Sequence, residues 1–206
     1  MFGILAFGDS IVFGRGNNID RGWTGRLRKY FETKDYYNAL YNLGVPGANS
    51  NHLLERFETE CKARTDSKRP DDKRIILIGI GMNDIRYKKI PDEAETPIAV
   101  FKKNILKLIK IAKKYTDKIV FIGITPVDET LTKPYEGLFY TNEQIKKYNR
   151  LISSCCKDNQ VLFIDLFSEL ENQKEIFDDG IHLNAKGYEK MYEIIKKFLI
   201  DNKLID

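Results

Sequence analysis

Four short runs of apolar residues stand out along the chain, at 3–8, 74–80, 118–124 and 160–165. Unbroken apolar runs of this length suit parallel strands covered on both faces, where neither side-chain direction meets water. A fifth segment, 36–43, alternates less cleanly and reads as an edge strand. Between the strands the apolar positions recur at helical spacing. Residues 23–31 place Trp23, Leu27, Tyr30 and Phe31 on one face, and a second helix is expected over 50–63. A third over 100–112 carries Val100, Ile105, Leu108, Ile109 and Ala112. A fourth over 142–156 carries Ile145, Tyr148, Leu151, Ile152 and Cys155. The last, 185–200, carries Tyr188, Met191, Ile194, Ile195 and Phe198, with Asn184 as its expected cap and Asp201-Asn202 as its end.

Strand then helix, five times over, predicts a three-layer α/β/α domain around a parallel sheet. The 206 residues hold no internal repeat, low-complexity tract or linker, so a single domain over 1–206 is expected. The polar segment 65–73 reads as an exposed loop. Segment 125–140, with Pro126, Pro134 and Gly137, is a long connection of the kind that serves as a lid or binding loop.

Charge changes this picture little. The net charge is +4, from 34 basic and 30 acidic residues. The lysine pairs 102–103, 113–114, 146–147 and 196–197 fall on the wet sides of helical patterns. No basic stripe interleaves with aromatics, so a nucleic-acid partner is not expected. Cys61, Cys155 and Cys156 form neither a disulfide framework nor a metal pair; buried free thiols are the simplest account. The apolar run at 2–7 lacks a preceding basic region and is too short for a signal core, and no membrane span is found. A cytoplasmic location is expected, while the oligomeric state stays open.

In open parallel sheets, sites lie beyond the carboxyl ends of the strands. Four groups of residues fall there: Gly8-Asp9-Ser10, Asn42-Leu-Gly44-Val-Pro-Gly47, Gly81-Met-Asn83-Asp84, and Asp179-Gly-Ile-His182 before the last helix. Acyl transfer needs a nucleophile, a base, a group to orient the base, and donors for an oxyanion. Ser10 fits the nucleophile, and His182 fits the base because imidazole changes charge near neutral pH. Asp179, three residues earlier, has the spacing to reach the far ring nitrogen. The Ser10 N–H, the Gly47 N–H and the Asn83 amide are candidate oxyanion donors. Each residue alone also has an ordinary turn or capping role; the argument rests on all four groups reaching one rim. His52 has no acidic partner at comparable spacing and reads as surface or as a residue behind the site, while Asp178 reads as solvated. Trp23, Tyr135, Phe139 and Tyr140 are candidate pocket aromatics, although the apolar helical face around Trp23 favours a core role.

Together and in order, these groups resemble the GDSL esterase family, also called SGNH hydrolases. Leu-Asn-Ala-Lys-Gly-Tyr, ending at Tyr188, adds to the likeness. The resemblance implies a flavodoxin-like parallel five-stranded sheet of order 2-1-3-4-5, and no metal or other cofactor. It implies Ser10, Asp179 and His182 as catalytic residues and Ser10, Gly47 and Asn83 as the oxyanion hole. One departure is Val45-Pro46 before Gly47, where the proline restricts Val45 to extended backbone and stiffens the loop. There is no Gly-x-Ser-x-Gly elbow, phosphate loop, three-glycine dinucleotide fingerprint or His-Glu-x-x-His.

The expected activity is hydrolysis of small, short-acyl esters through an acyl-enzyme, with deacetylation of a carbohydrate as a subcase. Lysophospholipid or thioester cleavage, and acyl transfer to another acceptor, stay open on the same residues. A reading of a different class is a non-catalytic small-molecule binding module, which fold alone does not exclude. Such a binder has no use for an Asp179–His182 pair.

Overall fold

The apolar runs become five parallel strands. The computed structural model describes residues 2–17, 19–65 and 72–206. Strands β1 (Phe2–Gly8), β2 (Ala39–Gly44), β3 (Lys73–Gly79), β4 (Ile119–Ile122) and β5 (Leu162–Ile164) form one sheet of order β2-β1-β3-β4-β5. All four neighbouring pairs run parallel. Helices α1 (Ser10–Phe13), α2 (Gly22–Glu32), α3 (Ser50–Ala63), α4 (Ile98–Ala112), α5 (Asn142–Asp158), α6 (Leu166–Leu170) and α7 (Ala185–Asp201) complete the order. Helix α2 packs with α7, while α3 packs with α4 and α4 with α5. Right-handed crossovers require this division, because β1 to β2 steps one way along the sheet and every later crossover steps the other. The architecture is the three-layer α/β/α sandwich that the pattern implied.

Coverage on both faces explains why the strands show no alternation. Ile4, Leu5, Ala6 and Phe7 are all buried, as are Ile75 to Ile78 in β3. Phe7 packs on Phe57 of α3 with ring centroids 4.5 Å apart. The helices are capped as short polar residues predict: Asn49 accepts from the Asn51 and His52 amides, and Asn184 accepts from Gly187.

The structure departs from the pattern in a few places. β2 lies at the sheet edge as expected but starts at Ala39, not 36. Asp35 accepts from the Tyr37 amide and closes a turn with Asn38, which leaves Tyr36 and Tyr37 exposed. In α4 the buried face runs through Phe101, Asn104, Ile105, Leu108, Ile109 and Ala112, and Val100 points outward. Ile105, Leu108, Ile109 and Ala112 face inward as expected, and only the first position differs, with Phe101 buried in place of Val100. Of segment 65–73, only Thr65, Asp72 and Lys73 belong to the described residues, and Lys73 already starts β3. The three cysteines are free and buried, and burial pushes the Cys61 and Cys156 thiols up to about 12. No helix among the described residues is long and apolar enough to cross a membrane.

Because Phe57 is fully buried against Phe7, truncating it leaves a cavity between α3 and the central strand. Phe57→Ala is expected to lower unfolding free energy by about 3–5 kcal/mol. Urea denaturation measures this; a loss under 1 kcal/mol would contradict the packing described.

Candidate active site

Three glycines end β2, β1 and β3 side by side. Gly8 pairs with Gly44 on β2 and with Gly79 on β3. A Cβ on Gly8 would lie 2.2 Å from the Gly79 carbonyl oxygen, and one on Gly44 would lie 2.3 Å from the Phe13 nitrogen. The bare backbone lets α1 fold down directly over the strand ends. Asp9 caps α1, accepting from the Ile11 amide at 2.9 Å, and Ser10 becomes its first residue. Arg56 reaches up from α3 and donates to the carbonyls of Gly8 and Leu43, fixing the ends of β1 and β2 together.

Ser10 and His182 lie 172 positions apart in sequence and meet here. Ser10 Oγ stands 2.9 Å from His182 Nε2, and His182 Nδ1 stands 2.7 Å from Asp179 Oδ2. The other oxygen, Asp179 Oδ1, accepts from the Ile181 and His182 amides at 3.0 and 2.8 Å. Burial alone would raise the Asp179 carboxyl, but bonds from the His182 ring and from these amides outweigh it. They hold the group well below the usual carboxylate range. A carboxylate behind Nδ1 leaves Nε2 without its proton, free to accept from the Ser10 hydroxyl.

The other two groups are tied to each other by Asn83 and Ala48, and to the end of β1 by the Val45 amide on the Gly8 carbonyl. Gly47 has φ +79, and a Cβ there would meet nothing within 4 Å. It is glycine for its backbone conformation, whereas Gly44 is glycine for lack of room. Asn83 Nδ2 donates to the Ala48 carbonyl at 3.0 Å, which fixes the amide plane and leaves its second hydrogen over. Asp84 ties the two loops together. Its carboxylate accepts from the Ser50 amide at the start of α3 and from the Ser50 hydroxyl at 2.6 Å. Asn104 of α4 donates in turn to Ser50 Oγ. Burial raises the Asp84 carboxyl, and its Ser50 bonds oppose that rise.

The aromatic residues divide. Trp23 is fully buried on the inner face of α2 and is not brought to the site; it is a core residue. Tyr135 turns its hydroxyl onto Asp179 Oδ2 at 3.0 Å, a contact that no local pattern announces. Phe139 is half-buried and stacks on Tyr87 at 5.5 Å. Tyr140 is buried, with its ring edge-on to Tyr135. His52 and Asp178 are exposed.

A hydroxyl, an imidazole and a carboxylate in one hydrogen-bonded line beyond a parallel sheet form the arrangement found in serine hydrolases. Residues 6–190 match the GDSL-like Lipase/Acylhydrolase family. A multidomain esterase of Ruminococcus flavefaciens is 26% identical over 172 residues, covering 82% of this chain and 21% of that protein. This chain therefore spans about a fifth of that relative's length. The GDSL esterase/lipase WDL1 of Oryza sativa subsp. japonica is 25% identical over 208 residues, covering 95% of this chain and 76% of that protein. The crystal structure of an acetyl xylan esterase, AlAXEase, is similar at a TM-score of 0.74 and 22% identity, covering 97% of this chain and 100% of that one. The chain belongs to the GDSL-like lipase/acylhydrolase family.

Next to Ser10 in the chain lies a second carboxyl. Asp9 is buried, and burial, opposed by the Ile11 amide bond, raises it from 3.8 to about 7. The unfolded chain ionises Asp9 near pH 4, while the folded chain holds the proton until about pH 7. The stability it contributes is therefore complete below pH 4 and is lost as pH rises to about 7. Asp9→Asn is expected to flatten this decline, read as urea midpoints between pH 4 and pH 7 beside those of the unaltered protein. Parallel pH dependences in the two proteins would contradict it.

Proposed function

We propose that the chain is a serine esterase, one SGNH hydrolase domain over 1–206, that hydrolyses small carboxylic esters with short acyl groups through an acyl-enzyme. One observation carries the reading: the 2.9 Å contact between Ser10 Oγ and His182 Nε2, with Asp179 behind the ring. His182 takes the Ser10 proton as Oγ attacks the ester carbonyl, and the C=O electron pair moves onto oxygen. The resulting oxyanion accepts from the Ser10 N–H, the Gly47 N–H and the free Asn83 amide hydrogen. The tetrahedral intermediate collapses, the C–O bond to the alcohol breaks, and His182 returns the proton to that alcohol. Water then repeats the sequence on the acyl-enzyme, releasing the acid and restoring Ser10. Asp179 stays ionised throughout and stabilises the imidazolium.

A carbohydrate acetyl ester is the substrate class we favour. The acetyl xylan esterase named above supports it, since its fold matches nearly the whole chain. Half-buried Phe139 and Tyr135 offer ring faces of the kind that stack on sugars.

Turnover of p-nitrophenyl acetate tests the mechanism. Ser10→Ala and His182→Ala are expected to lose on the order of 10⁴- to 10⁶-fold in kcat, and Asn83→Ala roughly 10²- to 10³-fold. Unchanged turnover in Ser10→Ala would rule the mechanism out. A panel of p-nitrophenyl esters and acetylated xylo-oligosaccharides tests the substrate class. Rates that climb with chain length beyond butyrate would overturn the short-acyl assignment.

A further inference from the structure

The carboxylate behind the imidazole has a donor that acyl transfer does not require. Asp179 Oδ2 accepts both His182 Nδ1 at 2.7 Å and the Tyr135 hydroxyl at 3.0 Å. Tyr135 lies 44 positions earlier, on the long connection between β4 and α5. A tight hairpin delivers it. Tyr135 and Leu138 exchange backbone hydrogen bonds at 2.7 and 2.9 Å, while Glu136 and Gly137 between them have φ of +48 and +76. Two consecutive left-handed residues make the two-residue turn that joins strands most tightly.

The hairpin is braced on both sides. Tyr87, four residues beyond Asn83, exchanges backbone bonds with Phe139 at 3.2 and 2.8 Å, and their rings stack. On the other side the Asp128 amide donates to the Gly180 carbonyl at 2.9 Å, next to Asp179 itself. Across the base of the hairpin the Tyr140 amide donates to the Thr132 carbonyl, and Thr132 Oγ1 donates to the Tyr140 carbonyl. Segment 125–140 is thus a wall fastened to both halves of the site, and the Tyr135 hydroxyl has little freedom to be elsewhere.

We propose that Tyr135 is a positioning residue: its hydroxyl fixes the Asp179 carboxylate and competes with the His182 ring for Oδ2. This rests on the esterase reading above. An oxygen that accepts two donors is a weaker acceptor for each. With the phenol present, the His182 Nδ1–H bond is moderated and Oδ2 is held facing the ring; without it the carboxylate loses this tether and orients the imidazole less well. Burial, then the bond to Asp179, pushes the Tyr135 phenol up to about 12, so it remains a donor at any working pH. Other charges face the line as well: Asp9 acts on His182, Arg15 and Glu136 act on Tyr135, and Tyr188 of α7 faces Asp9, Asp178 and Asp179. A change confined to the Tyr135 hydroxyl leaves all of these in place.

Tyr135→Phe tests this with two readouts. In kinetics with p-nitrophenyl acetate, kcat is expected to fall about tenfold with KM unchanged. In proton NMR, the His182 Nδ1 proton is expected to move downfield, because Oδ2 becomes the stronger acceptor. The chain has two histidines, and His52 is exposed, so the downfield signal belongs to His182. Incorporating 3-fluorotyrosine at 135 strengthens the donor and should move the same proton upfield, a check that holds even if Tyr135→Phe folds poorly. A resonance that stays put in both proteins, or a kcat equal to that of the unaltered enzyme, would overturn the positioning role and leave the esterase reading intact. Full turnover by Ser10→Ala would instead remove the esterase reading, whatever Tyr135→Phe does.

Discussion

The site depends on how closely α1 approaches the end of the sheet. Gly44, Gly8 and Gly79 lie in one row across three strands. Side chains at Gly8 and Gly44 would collide with backbone, so glycine is a steric requirement at these two positions. With it in place, the chain leaving β1 turns at once into α1, and Ser10 stands at the first helical position with its hydroxyl toward His182. The same row brings the end of β2 beside α1, from which the loop to Gly47 departs; the Val45 amide donates to the Gly8 carbonyl there. Chemistry at this rim is downstream of a packing condition met by absent side chains.

Electrostatics then differentiates carboxyl groups that composition cannot distinguish. Asp179 accepts from two amides, an imidazole and a phenol, and the imidazole and the amides hold it ionised. Asp9 has one amide donor and no solvent, so burial keeps its proton on into the neutral range. Burial raises Asp84 too, against the opposing bonds from Ser50 at the start of α3. Its work is structural: it joins the Asn83 loop to the helix that follows Gly47, so the two loops share one anchor.

Much of this was legible beforehand, for identifiable reasons. Continuous apolar runs exposed the buried strands, since a parallel sheet covered on both faces leaves them no alternation. The strand-end rule then located Ser10, Gly47, Asn83 and His182, because each follows or precedes an element that the pattern had already placed. What escaped notice depends on distance in sequence. Helices α1 and α6 are too short, at 4 and 5 residues, to show a helical period. Val100 was assigned to the inner face of α4 because a valine beside a phenylalanine leaves the phase of the stripe ambiguous; only packing shows that Phe101 is the buried one. Tyr135 was grouped with the pocket aromatics, and its bond to Asp179 spans 44 residues through a hairpin whose turn is Glu136-Gly137. Trp23 illustrates the opposite case: its helical face argued for the core, and it is fully buried there.

The account stands or falls on whether one reacting centre fits between the Ser10 hydroxyl, the His182 ring and the three donors. A crystal structure of the protein after reaction with diethyl p-nitrophenyl phosphate measures this directly. Phosphorus should be bonded to Ser10 Oγ, with the phosphoryl oxygen about 3 Å from the nitrogens of Ser10, Gly47 and the Asn83 amide. Folded protein that leaves Ser10 unmodified, or an adduct whose phosphoryl oxygen turns away from all three nitrogens, would contradict it.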